Sequence, residues 1–291
     1  MRTALSITVV AFALWATMRR ATGAASCAEP ELIERPPAGA HSGSADEPLT
    51  VVSINIAKQT DEAVIAAEIE RHEILRRADV LALQEVRRED GKANVALRLA
   101  ERLNMAVLVG GAGDGMGPDS TDAVALLSRY PLSDPTVIRL PQNSLGIRSR
   151  CRVALAATVG HPTAATRVIG LHLDTRINTE SRMAQLEPAL ADAHRFEGPV
   201  VFAGDFNTNK FLWLEHLIPV PFVQDQVGPV VERMAQLGFR TPFEPGGQAT
   251  NDFLGLQLDW VFLRGLDAAH WGVQPLDFSD HHAVWVRTKE Q

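Results

Sequence analysis

The sequence predicts a mixed α/β layer protein built as one continuous domain, and two observations carry this. Short apolar, strand-like runs follow one another through the middle of the chain without helices between them, while segments with helical spacing lie towards both halves. Uninterrupted β-α-β winding does not fit that order. Polar clusters also close a succession of the apolar runs between residues 55 and 281, which one domain explains better than two. With 291 residues, 46% hydrophobic and 22% charged, the chain can bury a sizeable core.

The first 26 residues read as a targeting segment. Arg2 precedes an apolar run from Ala4 to Met18, and small residues follow at Thr22-Gly23-Ala24-Ala25-Ser26. The run is shorter than the roughly 20 residues needed to cross a bilayer, which favours a secretory signal peptide. Arg19-Arg20 behind the run keeps an uncleaved anchor open. Cys27 after small residues suggests a lipoprotein site, although Ala24 stands where such sites usually carry Leu. The expected location is secreted or periplasmic, with anchoring through this segment or a lipidated Cys27 as the alternative. Residues 27–48, rich in Pro, Gly, Ser and Ala, read as a disordered linker. The domain proper is expected over residues 49–288.

Within it, Leu49–Asn55 is strand-like and Asp61–Arg77 has helical spacing. A strand at Val80–Gln84, a helix at Asn94–Leu103 and a strand at Met105–Val109 follow. Strands continue at Ala123–Leu127, Val137–Leu140, Arg152–Val159 and Arg167–Leu173. Then come a helix at Glu180–Phe196, a strand at Val200–Ala203, helices at Phe211–Leu217 and Val230–Leu237, and strands at Leu258–Leu263 and Ala283–Val286. The formal charge is −7 with no long run of either sign, so a basic tract for gripping nucleic acid is missing. The two cysteines, Cys27 and Cys151, make neither a disulfide framework nor a four-ligand zinc site. They are able to form one bond, but the apolar stretch around Cys151 reads rather as that of a buried thiol.

Five polar clusters each follow an apolar strand: Asn55, Gln84-Glu85, His172-Leu173-Asp174, Gly204-Asp205-Phe206-Asn207 and Ser279-Asp280-His281. Asp259, inside Leu258-Asp259-Trp260-Val261-Phe262, is a sixth candidate. Side chains two apart on a strand share a face, so His172 with Asp174, and Asp205 with Asn207, can point the same way. Carboxylates and amides gathered at a sheet rim suit a hard cation such as Mg²⁺ or Mn²⁺, and histidines among them suit phosphate contacts or proton transfer. Taken singly, each is more often a turn residue, a helix cap or an ion-pair partner. The ordered set is what points to chemistry.

Leu83-Gln84-Glu85-Val86, Gly204-Asp205-Phe206-Asn207 and Ser279-Asp280-His281 resemble, in order, three diagnostic motifs of the endonuclease/exonuclease/phosphatase superfamily. Asn55, Ala125-Leu126-Leu127-Ser128-Arg129-Tyr130-Pro131 and the Asp259 segment match in character and placement. The resemblance implies a four-layered α/β sandwich, two mixed sheets face to face with helices outside, and a metal-dependent hydrolase of phosphoesters. It implies Glu85 as principal ligand of Mg²⁺ or Mn²⁺, with Asn55 beside it and Asp280 contributing. Asp205 would position or deprotonate the attacking water, and Asn207 would hold water and phosphate in line. His281, oriented by Asp259, would be general base or phosphate ligand, and His172 would donate to a phosphate oxygen. Having His172 where the abasic-site endonuclease branch uses Tyr looks more like the deoxyribonuclease I, sphingomyelinase and inositol-phosphatase branches.

Three segments bear on substrate without choosing one. The loop Gly110–Thr121 reads as a flexible loop with no role, or else its Asp114 and Asp119 would repel a nucleic-acid backbone. Phe211-Leu212-Trp213-Leu214 reads either as a lipid-seeking projection or as a helix face on the core. Arg148, Arg150 and Arg152 alternate along one stretch and either meet substrate phosphates or form a solvated edge. Nucleic acid, phospholipid and sugar phosphate all remain as substrates. A non-catalytic binding protein on the same fold is disfavoured, because none of the expected polar residues is missing.

Overall fold

Alternation in the first predicted strand decides the architecture. In Thr50–Asn55 (β2), Val51 is buried in one apolar layer and Val52 and Ile54 in another. Val80–Val86 (β3) repeats this, with Val80 and Ala82 on one side and Leu81 and Leu83 on the other. A strand that is apolar on both faces must be covered on both. The computed structural model describes residues 27, 29–36, 47–87, 93–111, 123–145 and 150–290. It supplies both covers: two sheets pack face to face and helices lie outside them.

In the first sheet, β1 (Glu31–Arg35), β4 (Ala106–Gly111), β5 (Ala123–Ser128), β3, β2, β14 (Ala283–Thr288) and β13 (Ala268–Gln274) lie side by side in that order. The second runs β12 (Asp259–Arg264), β9 (Val200–Asp205), β8 (Thr166–His172), β7 (Val153–Val159), β6 (Leu132–Arg139). Both are mixed: β2 with β3, and β8 with β9, are parallel among antiparallel neighbours. Helices α1 (Glu62–Arg71) and α3 (Val95–Leu103), with the short α2 (Glu73–Arg76) between them in sequence, cover the first sheet. Ile65, Ile69, Val95 and Leu99 pack there against Val52, Ile54, Leu81 and Leu83. Asp61 and Asn94 cap α1 and α3 by accepting from the N–H groups of Ala63 and Ala96, both at 2.9 Å. Helices α4 (Thr179–Arg195) and α5 (Val227–Gln236) cover the second sheet with Leu186, Leu190, Val230 and Met234. Among the described residues no helix is long and apolar enough to cross a membrane.

Several expectations change. The signal segment 1–26 and Arg148, Asp114 and Asp119 lie outside the described residues. Inside the expected linker, Glu31–Arg35 forms an edge strand antiparallel to β4; its side chains are exposed, so no apolar pattern marks it. Cys151 is not a free thiol. It is bonded to Cys27, and the bond uses the sulfur that lipidation of Cys27 would need.

The expected helix at Phe211–Leu217 is a hairpin of β10 (Phe211–Leu214) and β11 (Ile218–Pro221). Glu215 and His216, both left-handed at φ 49° and 57°, make its turn, and Pro219 and Pro221 bar a helix beyond it. The expected helix over 61–77 breaks at His72, whose backbone is extended. One glycine is required by close packing: a Cβ on Gly204 would stand 2.2 Å from the Leu171 carbonyl oxygen, between the parallel β8 and β9.

Candidate active site

The carboxyl ends of the two parallel pairs meet at one edge of the sandwich. Asn55 pairs in register with Gln84, His172 with Asp205, and Asp205 with Asp259 on its other side. Asn55 bridges the two sheets. Its Nδ2 donates to Asp205 Oδ2 at 3.1 Å, while its Oδ1 accepts from the Ala57 N–H at 3.0 Å. The Ala57 donor fixes which end of the amide is oxygen, so Asn55 serves Asp205 directly.

Asp205 is 1% exposed, and its Oδ1 accepts from the Asn207 N–H at 2.8 Å. Burial, reinforced by the neighbouring Asp259 carboxylate, pushes its pKa up to about 7 against the pull of His281, Asn207 and Asn55. A carboxylate balanced near neutrality is suited to taking a proton from water. Asn207 sits just beyond, left-handed at φ 52°, with Nδ2 donating to the Leu173 carbonyl at 2.9 Å. Among the described residues no hydrogen bond is made by its Oδ1, which leaves that atom for a ligand.

The His281 Nδ1–H donates to Asp259 Oδ2 at 2.8 Å, and its Nε2 lies 3.9 Å from Asp205 Oδ2. Burial opposes the imidazolium, yet Asp259, by charge and hydrogen bond, and Asp205 outweigh it and raise the pKa well above the ordinary value. His281 is therefore protonated at neutral pH, which suits a phosphate ligand or proton donor better than a general base. The Thr250 hydroxyl donates to Asp259 Oδ2 at 2.8 Å and accepts from the Leu258 and Asp259 N–H groups. Asp259 Oδ1 is buried without a partner among the described residues.

His172 is set differently. Arg152 donates through an Nη to His172 Nδ1 at 2.9 Å, so the ring hydrogen is on Nε2, which faces Asp205 Oδ2 at 3.4 Å. Burial first, and then the Arg152 guanidinium, hold its pKa well below the ordinary value. His172 is thus a neutral hydrogen-bond donor. Asp174 does not enter the site; it accepts from Arg152 Nε at 3.0 Å and from Gln185 at 2.9 Å, anchoring the arginine.

Glu85 stands at the break in register between Leu83 and Val86, left-handed at φ 57°. Its neighbour Gln84 is structural, bonded to Ser53 and to the Ala82 carbonyl. Glu85 Oε2 lies 2.9 Å from the Lys58 ammonium. A hard oxygen donor at the rim, already in contact with a cationic group, fits a divalent cation. Asp205, Asp259 and His281 also offer ligand atoms within 4.8 Å of one another, but a metal on His281 Nδ1 would have to displace its bond to Asp259. That trio reads as proton-handling machinery, and Glu85 as the better metal ligand.

Asp280 is not drawn in. Its side chain is exposed between the inward Ser279 and His281, with no hydrogen bond or ion pair of its carboxylate among the described residues. The sequence reading missed Thr250, Lys58 and the role of Arg152. It also missed Arg182, fully buried, which donates to the carbonyls of Asp174, Phe206 and Ile177 and so ties together the loops after β8 and β9. Its signal was available: Arg182, Gln185, Leu186 and Ala189 fall on one helical stripe, where charge is out of place.

Comparison with known proteins gives the family and the fold. Residues 52–281 match the Endonuclease/Exonuclease/phosphatase family. A UPF0294 protein of Vibrio cholerae is 32% identical over 123 residues, covering 41% of this chain and 38% of that protein. One from Vibrio parahaemolyticus is 31% identical over 121 residues, with the same coverage. The matches therefore span less than two fifths of those relatives. Among solved structures, an endonuclease/exonuclease/phosphatase from Beutenbergia cavernae superposes with a TM-score of 0.64 at 22% identity, over 84% of this chain and 72% of that one. The human Nocturnin catalytic domain with bound sulfate gives 0.59 at 18% identity, over 90% and 97%. Danio rerio TDP2 with a single-strand DNA product gives 0.58 at 18% identity, over 84% and 100%. At these identities the structures speak for the fold alone.

Proposed function

Because the chain belongs to the endonuclease/exonuclease/phosphatase family, we propose that it is a divalent-metal-dependent phosphoesterase in which Asp205 activates water for in-line attack on phosphorus. The observation that carries this is the buried Asp205 itself. It is held by Asn55 and the Asn207 N–H, raised towards neutrality, and faced by the Nε2 atoms of two histidines of opposite character. Asp205 takes the water proton, and Asn207 keeps the water in line. His172, neutral, donates to a non-bridging oxygen. His281, cationic and aimed by Asp259, stabilises charge developing on phosphate or supplies a proton to the leaving oxygen. A cation held at Glu85 would neutralise charge on the phosphate oxygens. Asp280 stays a candidate only for long-range charge.

The purified protein is expected to hydrolyse bis-p-nitrophenyl phosphate with Mg²⁺ or Mn²⁺ and to stop on chelation. Full turnover in EDTA would overturn the reading. A panel of DNA, RNA, sphingomyelin, and inositol and nucleotide phosphates then assigns the substrate. The Cys27–Cys151 bond supports export to an oxidising compartment.

A further inference from the structure

Lys58 belongs to none of the motifs above, yet among the described residues its ammonium is the cation in contact with Glu85, 2.9 Å from Oε2. The backbone is bent to put it there. Ile56 to Gln59 form a tight turn closed by the Gln59 N–H to the Ile56 carbonyl at 2.8 Å, with both central residues left-handed: Ala57 at φ 45° and Lys58 at φ 64°. Such turns normally use Gly or Asn at those positions, because a Cβ is disfavoured there. This one uses neither, and it is fastened by the Asn55 side chain accepting from the Ala57 N–H. Glu85, the other member of the pair, is also left-handed. Three side-chain-bearing residues in an unfavourable conformation thus converge on one ion pair at the rim of the site, where strain commonly accompanies function.

We infer that Lys58 is a built-in counter-cation of Glu85 that a divalent metal must displace, so that it sets the metal affinity of the site. The inference rests on the metal reading proposed above. A metal close enough to be bound by Glu85 and an ammonium on the same carboxylate repel one another. The lysine stem is long and flexible, and the side chain is 38% exposed, so it yields by swinging outwards rather than by unfolding the turn. The metal-free protein thereby avoids an unpaired carboxylate at the end of β3, and the metal binds more weakly than Glu85 alone would allow.

The test is isothermal calorimetry of Mn²⁺ binding to the full protein, without substrate, for the wild type, Lys58→Met and Lys58→Asn. Asparagine tolerates the left-handed turn, so a folding failure of the methionine variant leaves the question answerable, and melts in EDTA check both. Removing a partly exposed competing charge should tighten the Mn²⁺ Kd about fivefold in both variants, while Lys58→Arg stays near the wild type. A Kd that is unchanged or weaker in Lys58→Asn, with the wild type binding normally, overturns the role of Lys58. No Mn²⁺ binding by folded wild type overturns the metal reading together with it.

Discussion

Replacing Asp205 with asparagine should remove most turnover and yet, at neutral pH without metal, make the fold more stable. An ordinary aspartate titrates near 3.9, and burial beside Asp259 pushes Asp205 up to about 7. About three units at roughly 1.4 kcal/mol each give a ceiling of about 4 kcal/mol for holding the carboxylate charged in the fold. Two losses offset this. His281 gives up one of the carboxylates that favour its charged form, and the new amide would oppose the Asn55 Nδ2 donor, a hydrogen bond of about 1 kcal/mol.

A gain of about 1–2 kcal/mol remains, or roughly 2–8 °C in Tm for a domain of this size. The pH dependence fixes the sign. Well below pH 4, Asp205 is protonated folded and unfolded alike and costs nothing; the cost grows as pH rises and is complete above the folded value. The Tm advantage of Asp205→Asn should therefore be largest at pH 8 and shrink towards pH 5 in EDTA, while turnover of bis-p-nitrophenyl phosphate falls about 10³-fold. A variant that melts below the wild type at pH 8, or whose offset is the same at both pH values, refutes the reasoning.

Asp259→Ala and His281→Ala should each lower kcat by about 10²–10⁴, with the double variant little worse than His281→Ala alone; additive losses would show that they are not one unit. A bland ion pair of Asp259 with Arg264 is not what the structure holds, because Arg264 donates to the carbonyls of Ala193 and Phe196. Reducing the Cys27–Cys151 bond, which closes a loop of 124 residues, should cost about 2–4 kcal/mol, visible as a lower Tm under dithiothreitol. Mass spectrometry of the native protein should find an amino terminus near residues 24 to 27, and Met1 on a cytosolic protein would exclude export.

The candidate site residues were legible because each lies at or near the end of a strand whose apolar run is a strong local signal, and because their order along the chain is specific. Glu85, Asp205, Asn207, Asp259 and His281 all stand at strand ends or starts beside the core. What escaped was fixed by distant partners. Glu31–Arg35 is a strand only because β4 offers an edge, and the disulfide depends on an apposition of ends that spacing cannot supply. In Phe211–Leu217 a few apolar residues fit helix and strand alike until the turn at Glu215-His216 is seen. Arg152 carried a visible pattern with Arg148 and Arg150. Its destination, the Nδ1 of His172, is a contact between the residue just before β7 and the last residue of β8 that no one-dimensional pattern contains.

The hydrogen bond from Asn55 to Asp205 joins groups carried by different sheets. Glu85 belongs to one slab of the sandwich, and His172, Asp205 and Asp259 belong to the other. Between the slabs lie small residues: Gly170 and its register partner Ala203 in one sheet face Ala82 in the other, with Leu126 3.1 Å from where a Cβ of Gly170 would be. Enlarging any of them would wedge the slabs apart by a fraction of an ångström. The hydrolytic rate would then act as a ruler of that spacing, falling while each sheet by itself remained fully paired.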